Sequence, residues 1–320
     1  MLKKRRKIII FLYIAQIVPT LSYSCEDGCV CTTRSYQCIK AGLTKVPDHI
    51  DENIRELDLS YNNIVSTSDA ANNIMPLSEL ESLNLSHNQL TKIDYDMFDD
   101  MDNLDELDLS FNQIHAMDDD TFEWNPLELR ILKMNDNQLK FVEHFTFYDL
   151  EKLEELYLQN NNIKIIHTLA FSNMKKLRVL DLSNNHLISF VEDWVKEPLR
   201  LDPGMHLSFQ NNPWTCDCGM TDAWKYFKSS GFKTSRGSVD THIVCTDDEF
   251  SRRKLLDLDL SDLTKACKDP VIKQLSKSTT VQAGKTIKLQ CIVEGKPPPK
   301  VTWIAPNEDV YRNLIKILLE

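Results

Sequence analysis

The chain predicts an α/β-type solenoid with a parallel sheet along its concave face, cysteine-rich caps at both ends and an incomplete all-β segment behind it. Three observations predict this. The pattern L-x-x-L-x-L-x-x-N-x-L recurs six times between Ile54 and Leu187, with its asparagines at 62, 88, 112, 137, 161 and 185. Phe98, Phe122, Phe147 and Phe171 each stand ten residues after one of those asparagines. Four cysteines precede the repeats and four follow them. Self-similarity at a step of 24 to 26 residues is what stacked supersecondary units produce.

Residues 1–24 read as a secretory signal peptide. Lys3, Lys4, Arg5, Arg6 and Lys7 form a basic start, Ile8 to Val18 an apolar run, and Ser22 and Ser24 fit the small residues before a cleavage site. Eleven apolar residues are too few to span a bilayer. No other segment is long and apolar enough, so membrane association is expected only through a span absent from this chain. The expected compartment is the secreted or extracellular side of the plasma membrane, which is oxidising.

Residues 25–53 form the N-terminal cap, with Cys25, Cys29, Cys31 and Cys38 in the spacing C-x3-C-x-C-x6-C. The repeats occupy 54–212. In Leu104-x-x-Leu107-x-Leu109-x-x-Asn112-x-Ile114 the two middle leucines alternate with Asp108, so each repeat holds one short strand. The leucines at pattern positions one, four, six and eleven point inward. The asparagine sits where the chain leaves the strand, and its amide can bond free backbone groups of the turn, so stacked copies make a ladder. The phenylalanines should form a buried spine on the convex side. Asn212 closes the series after a longer step. The pattern is the leucine-rich-repeat signature.

One repeat cannot bury its own apolar face, so the ends need caps. Residues 213–268 supply the second, with Cys216, Cys218, Cys245 and Cys267 opening on Asn212-Pro213-Trp214. Four cysteines allow 3 connectivities per cluster, and a zinc site is the alternative to disulfides. Both clusters resemble the caps of extracellular leucine-rich-repeat proteins. That resemblance implies the pairs Cys25–Cys31, Cys29–Cys38, Cys216–Cys245 and Cys218–Cys267.

Residues 269–320 begin at Asp269-Pro270. Cys291 is followed twelve residues later by Trp303, with Gly295 to Pro299 turning between them. This resembles strands B and C of an immunoglobulin domain. Such a domain needs about 100 residues, and 51 follow Asp269. The second cysteine is missing, so Cys291 is expected to stay unpaired. Asn313 to Leu319 reads more like a helix.

Charge and motifs narrow the function. Residues 51–212 hold 31 acidic and 12 basic side chains, which argues against nucleic acid as a partner. Arg252-Arg253-Lys254 reads as a solvated loop. There is no G-x-S-x-G, no H-E-x-x-H and no phosphate-cradling glycine loop. Neither a cofactor nor a metal is expected. The aspartates 94, 96, 99, 100 and 102, and 118–120, lack the Gly and Glu of a calcium loop. The expected class is a binding module rather than an enzyme.

Positions three and five of each repeat face outward on the concave sheet. Position three reads Glu56, Ser82, Glu106, Ile131, Glu155, Val179, His206. Position five reads Asp58, Asn84, Asp108, Lys133, Tyr157, Asp181, Ser208. The first three repeats are acidic and polar, and the next three place Ile131, Lys133, Tyr157 and Val179 on one area. Exposed apolar clusters mark interfaces, although β-branched and aromatic residues also favour strands for their own sake. A protein ligand or receptor ectodomain is the expected partner there. Asn84-Leu85-Ser86 is an N-glycosylation sequon that would put a glycan on the N-terminal half of this face.

The order of signal, cap, repeats, cap and immunoglobulin segment resembles the LRR–Ig family of cell-surface proteins, the kekkon-like, LINGO-like and neuronal leucine-rich-repeat proteins. The resemblance implies an ectodomain used in adhesion or receptor modulation. Peroxidasin has a similar domain order, which leaves the N-terminal part of a matrix enzyme, or a structural matrix protein, as alternatives.

Overall fold

The computed structural model describes residues 25–47, 50–66, 77–93, 98, 101–117, 121–122, 128–143, 146–167, 170–171, 173–190, 206–228, 243–265, 267–275, 291–296, 302–304 and 310–312. The expected signal peptide, aspartates 94, 96, 99, 100 and 118–120, and the expected helix at 313–319 lie outside these residues.

Nine strands form the main sheet, in the order β1 (Val30–Cys31), β2 (Ser35–Gln37), β3 (Glu56–Asp58), β4 (Ser82–Asn84), β6 (Glu106–Asp108), β8 (Ile131–Lys133), β10 (Glu155–Tyr157), β12 (Val179–Asp181) and β13 (His206–Ser208). From β2 onward every pairing is parallel and in register, so Leu57, Leu83, Leu107, Leu132, Leu156, Leu180 and Leu207 form one inward row. All seven are buried, and the flanking positions three and five face the other way. On the far side, short parallel pairs join β5 (Lys92–Ile93) to β7 (Ala116–Met117) and β9 (Phe141–Val142) to β11 (Ile165–Ile166).

Two expected series appear as packed columns. Phe98, Phe122, Phe147 and Phe171 are buried, with successive ring centroids 5.5, 6.1 and 6.4 Å apart. The asparagines at 62, 88, 112, 137, 161, 185 and 212 are buried and tie each repeat to the one before. Asn137 shows the arrangement: its Nδ2 donates to Leu109 O at 2.9 Å and to Met134 O at 3.2 Å, and its Oδ1 accepts from Ile114 N at 2.9 Å. A buried backbone group left unpaired is costly, which is why an amide, with donors and an acceptor on one short stem, holds this position.

The caps extend the same core. Asn62 Nδ2 donates to Cys38 O, and Leu43 N to Asn62 Oδ1, so the first rung already engages the N-terminal cap. The spacing of the cysteines did not reveal that β2 joins the parallel sheet. Cys25 is bonded to Cys31, Cys29 to Cys38, Cys216 to Cys245 and Cys218 to Cys267, and Cys291 is free. At the far end Trp214 is fully buried and its Nε1 donates to Phe209 O at 2.9 Å. Helix α1 (Thr221–Lys228) lays Phe227 against Phe190 and Phe209, and Trp224 Nε1 donates to Leu258 O. Helix α2 (Leu260–Thr264) starts on a capping box between Asp259 and Asp262 and buries Leu263.

Behind the cap, β14 (Lys268–Leu275) pairs antiparallel with β15 (Cys291–Lys296), and β16 (Thr302–Ile304) with β17 (Val310–Arg312). Every residue of β14 is exposed, including Val271, Ile272 and Leu275. Among the described residues no second sheet covers this pair.

Candidate protein-binding face

The register fixes what the concave face displays. Ile131, Glu155 and Val179 lie side by side on β8, β10 and β12, and Lys133, Tyr157 and Asp181 form the row beside them. The structure therefore brings the four sequence-predicted residues together on three adjacent strands. They do not make a continuous apolar patch, because Glu155 stands between Ile131 and Val179. All four are half-buried. Lys133 reaches back one repeat, with Nζ 2.5 Å from Glu106 Oε1 and 3.8 Å from Asp108 Oδ2. Burial works against its charge, but Glu106, Asp108 and Glu155 outweigh it and hold its pKa above the ordinary lysine value. The Tyr157 hydroxyl donates to Glu155 Oε2 at 2.8 Å. Burial, that hydrogen bond and the charges of Glu155 and Asp181 push the phenol up to about 12.

The N-terminal half of the face is different. Glu56, Asp58, Asn84, Glu106 and Asp108 line a hollow of about 310 Å³ bounded by Lys133. Asn84 Oδ1 accepts from Ser86 N at 3.0 Å. The side chain is half-buried on the concave surface.

The two rims of the sheet also differ. On the rim where the strands begin, charges pair across repeats: Arg55 with Glu81 at 2.5 Å, Arg130 with Asp105 at 2.5 Å, and Arg178 with Glu154. Exposed pairs of this kind stabilise little, but they leave that rim nearly neutral. On the rim where the strands end, Tyr61, His87 and Phe111 stack face to face, with centroids 4.0 and 4.2 Å apart. Sequence reasoning missed this column. Its signal was available, because each ring stands one residue before a ladder asparagine.

Arg253 donates to Asp257 O and lies 6.0 Å from the Phe250 ring, within the C-terminal cap. Cys216, Cys245 and Asp247 cluster, but both sulfurs are in a disulfide and Asp247 accepts from Cys216 N. Among the described residues no helix is long and apolar enough to cross a membrane.

The leucine-rich-repeat family model matches residues 52–114 and 128–187, and the immunoglobulin I-set model matches 270–316. The chain is similar to the mouse leucine-rich repeat, immunoglobulin-like domain and transmembrane domain-containing protein 2, 33% identical over 103 residues, covering 32% of this chain and 18% of that protein. It is similar to trophoblast glycoprotein of Macaca fascicularis, 25% identical over 317 residues, covering 84% of this chain and 74% of that protein. The crystal structure of human trophoblast glycoprotein shares the fold, with a TM-score of 0.55 at 24% identity over 75% of this chain and 99% of that one. The match to the mouse relative spans less than a fifth of that protein's length. Four disulfides fit an oxidising, extracellular setting. With repeats, caps and I-set segment in that order, the chain is similar to extracellular proteins that combine leucine-rich repeats with an immunoglobulin-like domain.

Proposed function

We propose that this extracellular protein-binding module serves cell adhesion or receptor modulation, and that it docks a partner ectodomain on the concave face of β8, β10 and β12. The observation that supports this reading is the single rigid surface formed by Ile131, Lys133, Tyr157 and Val179 on three strands in fixed register. Strand-borne side chains lose little freedom on binding. Tyrosine is enriched among residues that contribute ~2 kcal/mol or more to interfaces. The relatives' names, a transmembrane domain-containing protein and a glycoprotein, agree with a role at the cell surface.

The test is a binding screen of the secreted chain against cell-surface ectodomains, repeated with Tyr157→Ala. Affinity for the partner should fall on the order of 30-fold, with secretion unchanged. Normal binding by Tyr157→Ala, together with loss of binding on substituting convex-face or C-terminal cap residues, would overturn the reading.

A further inference from the structure

The aromatic column on the strand-end rim is not explained by the fold. The residue before each ladder asparagine has positive φ, 59° at Tyr61, 54° at His87 and 54° at Phe111. The equivalent residues of later repeats, Asp136, Asn160, Asn184 and Asn211, have φ between 54° and 57°. Asn, Asp and His are enriched in this left-handed region, and Tyr and Phe are not. Turn stability alone would select Asn or Asp at 61 and 111 too.

What these repeats display instead is a surface. Tyr61 is 48% and Phe111 45% exposed. The rings lie nearly parallel, with interplanar angles of 10° and 7°, and Lys40 Nζ sits 5.7 Å from the Tyr61 centroid. The facing sides of the rings are thus used within the column, and ring edges are left for a partner. Edges carry the positive part of the aromatic quadrupole, so they suit an apolar side chain or the face of another ring, not a cation.

Cations are suited to the ground beside the column. Three residues before the rings stand Asp58, Asn84 and Asp108, in the hollow they share with Glu56 and Glu106. Lys133 answers Glu106 and Asp108. Glu56 and Asp58 meet no basic side chain among the described residues.

We propose that the Tyr61–His87–Phe111 column and the acidic hollow beside it dock an extended, basic segment of another protein, whose apolar or aromatic anchor lies on the ring edges while Arg or Lys side chains enter the hollow. Asp58 and Asp108 are two strands apart, about 10 Å, and an extended chain advances about 3.3 Å per residue. Basic residues at every third position therefore match the hollow. This surface rests on the same protein-binding class as the docking on β8 to β12, but it stands apart from Tyr157 and is tested apart from it.

The probe is a synthetic peptide of roughly 12 residues with Arg at every third position and one Trp, set against its Arg-to-Glu counterpart. It is titrated by fluorescence anisotropy onto the full secreted chain and onto its Ser86→Ala form, which removes the sequon and keeps Asn84. The Arg peptide should bind at least one form and the Glu peptide neither. Asp58→Ser with Asp108→Ser, which remove the charge without creating an N-x-S sequon, should weaken binding about tenfold or more, and salt should weaken it further. Tyr61→Asn with Phe111→Asn should weaken it roughly fivefold while the protein still folds and is secreted, because Asn suits this backbone. Tyr157→Ala should leave peptide binding intact. Absence of Arg-peptide binding to both forms, or equal binding by the Asp58 and Asp108 variant or by the ring variant, would overturn the proposal. So would a dimeric parent chain that the ring substitutions make monomeric without changing peptide binding, since a second copy would then cover the column.

Discussion

The Tyr157 hydroxyl donates a 2.8 Å hydrogen bond to the carboxylate of Glu155, two residues earlier on the same concave strand. The bond favours the protonated phenol, as do the partial burial of the ring and the nearby Asp181. An ordinary tyrosine ionises near pH ~10, and this one is pushed up to about 12. The folded state thus holds the proton more tightly than the unfolded state. Its contribution to stability is fully present below about pH 10 and is lost as pH rises through the folded value.

An ultraviolet titration should therefore show a late phenol that Tyr157→Phe removes from the upper limb. Tyr226, also pushed up to about 12 by burial, should remain there. A Tyr157→Phe protein with an unchanged late limb would show that burial and the bond to Glu155 do not hold the Tyr157 proton in solution.

The asparagine ladder should be costly to break at any rung. Asn137→Ala orphans Ile114 N and removes one of two amide donors from Leu109 O and from Met134 O, which keep Asn112 Nδ2 and Asn161 Nδ2. An orphaned buried group costs about 1–3 kcal/mol, so urea unfolding should show a loss of roughly 2 kcal/mol or more. Asn137→Asp should also destabilise, because a carboxylate supplies no donor for the two carbonyls.

The caps predict a redox dependence. Breaking Cys216–Cys245 with Cys216→Ser should cost about 2–5 kcal/mol and reduce secretion. Peptide mapping without reduction should return the four cap pairs and an unlinked Cys291. A peptide joining Cys291 to a cap cysteine would contradict this pairing.

The segment behind the cap should be the first part lost to protease. Both faces of β14 are exposed, and isolated strand pairs are marginal in water. Limited digestion should leave a resistant core ending near Lys268. Slow amide exchange along β14 would argue for a covering layer.

The solenoid was legible in the sequence because its packing is local and repeated. Leu107, Leu109, Asn112 and Phe122 each fill a place that the spacing alone assigns, and the structure puts them there. The entry of β2 into the parallel sheet was not legible, since Ser35-Tyr36-Gln37 carries no repeat consensus. The concave rows could be read by counting, but their chemistry could not. The pairing of Lys133 with Glu106 spans 27 residues and depends on side-chain reach across a repeat. The rings recur one residue before Asn62, Asn88 and Asn112, but the spacing alone does not say that the backbone turns to positive φ there and stacks them on the rim.

The stacked sheet has a mechanical consequence. A pull applied from one end of the solenoid to the other runs along the stacking direction, across the strands. Every repeat-to-repeat seam then carries the same load, because each repeat is held only by its neighbours in the stack. Each cap is tied within itself by two disulfides and plugged by Tyr36 at one end and Trp214 at the other, while the seam between a cap and its repeat is held by backbone and side-chain contacts alone. The weakest seam therefore sets the tension at which the array opens, and the covalent crosslinks keep a cap intact after it has parted.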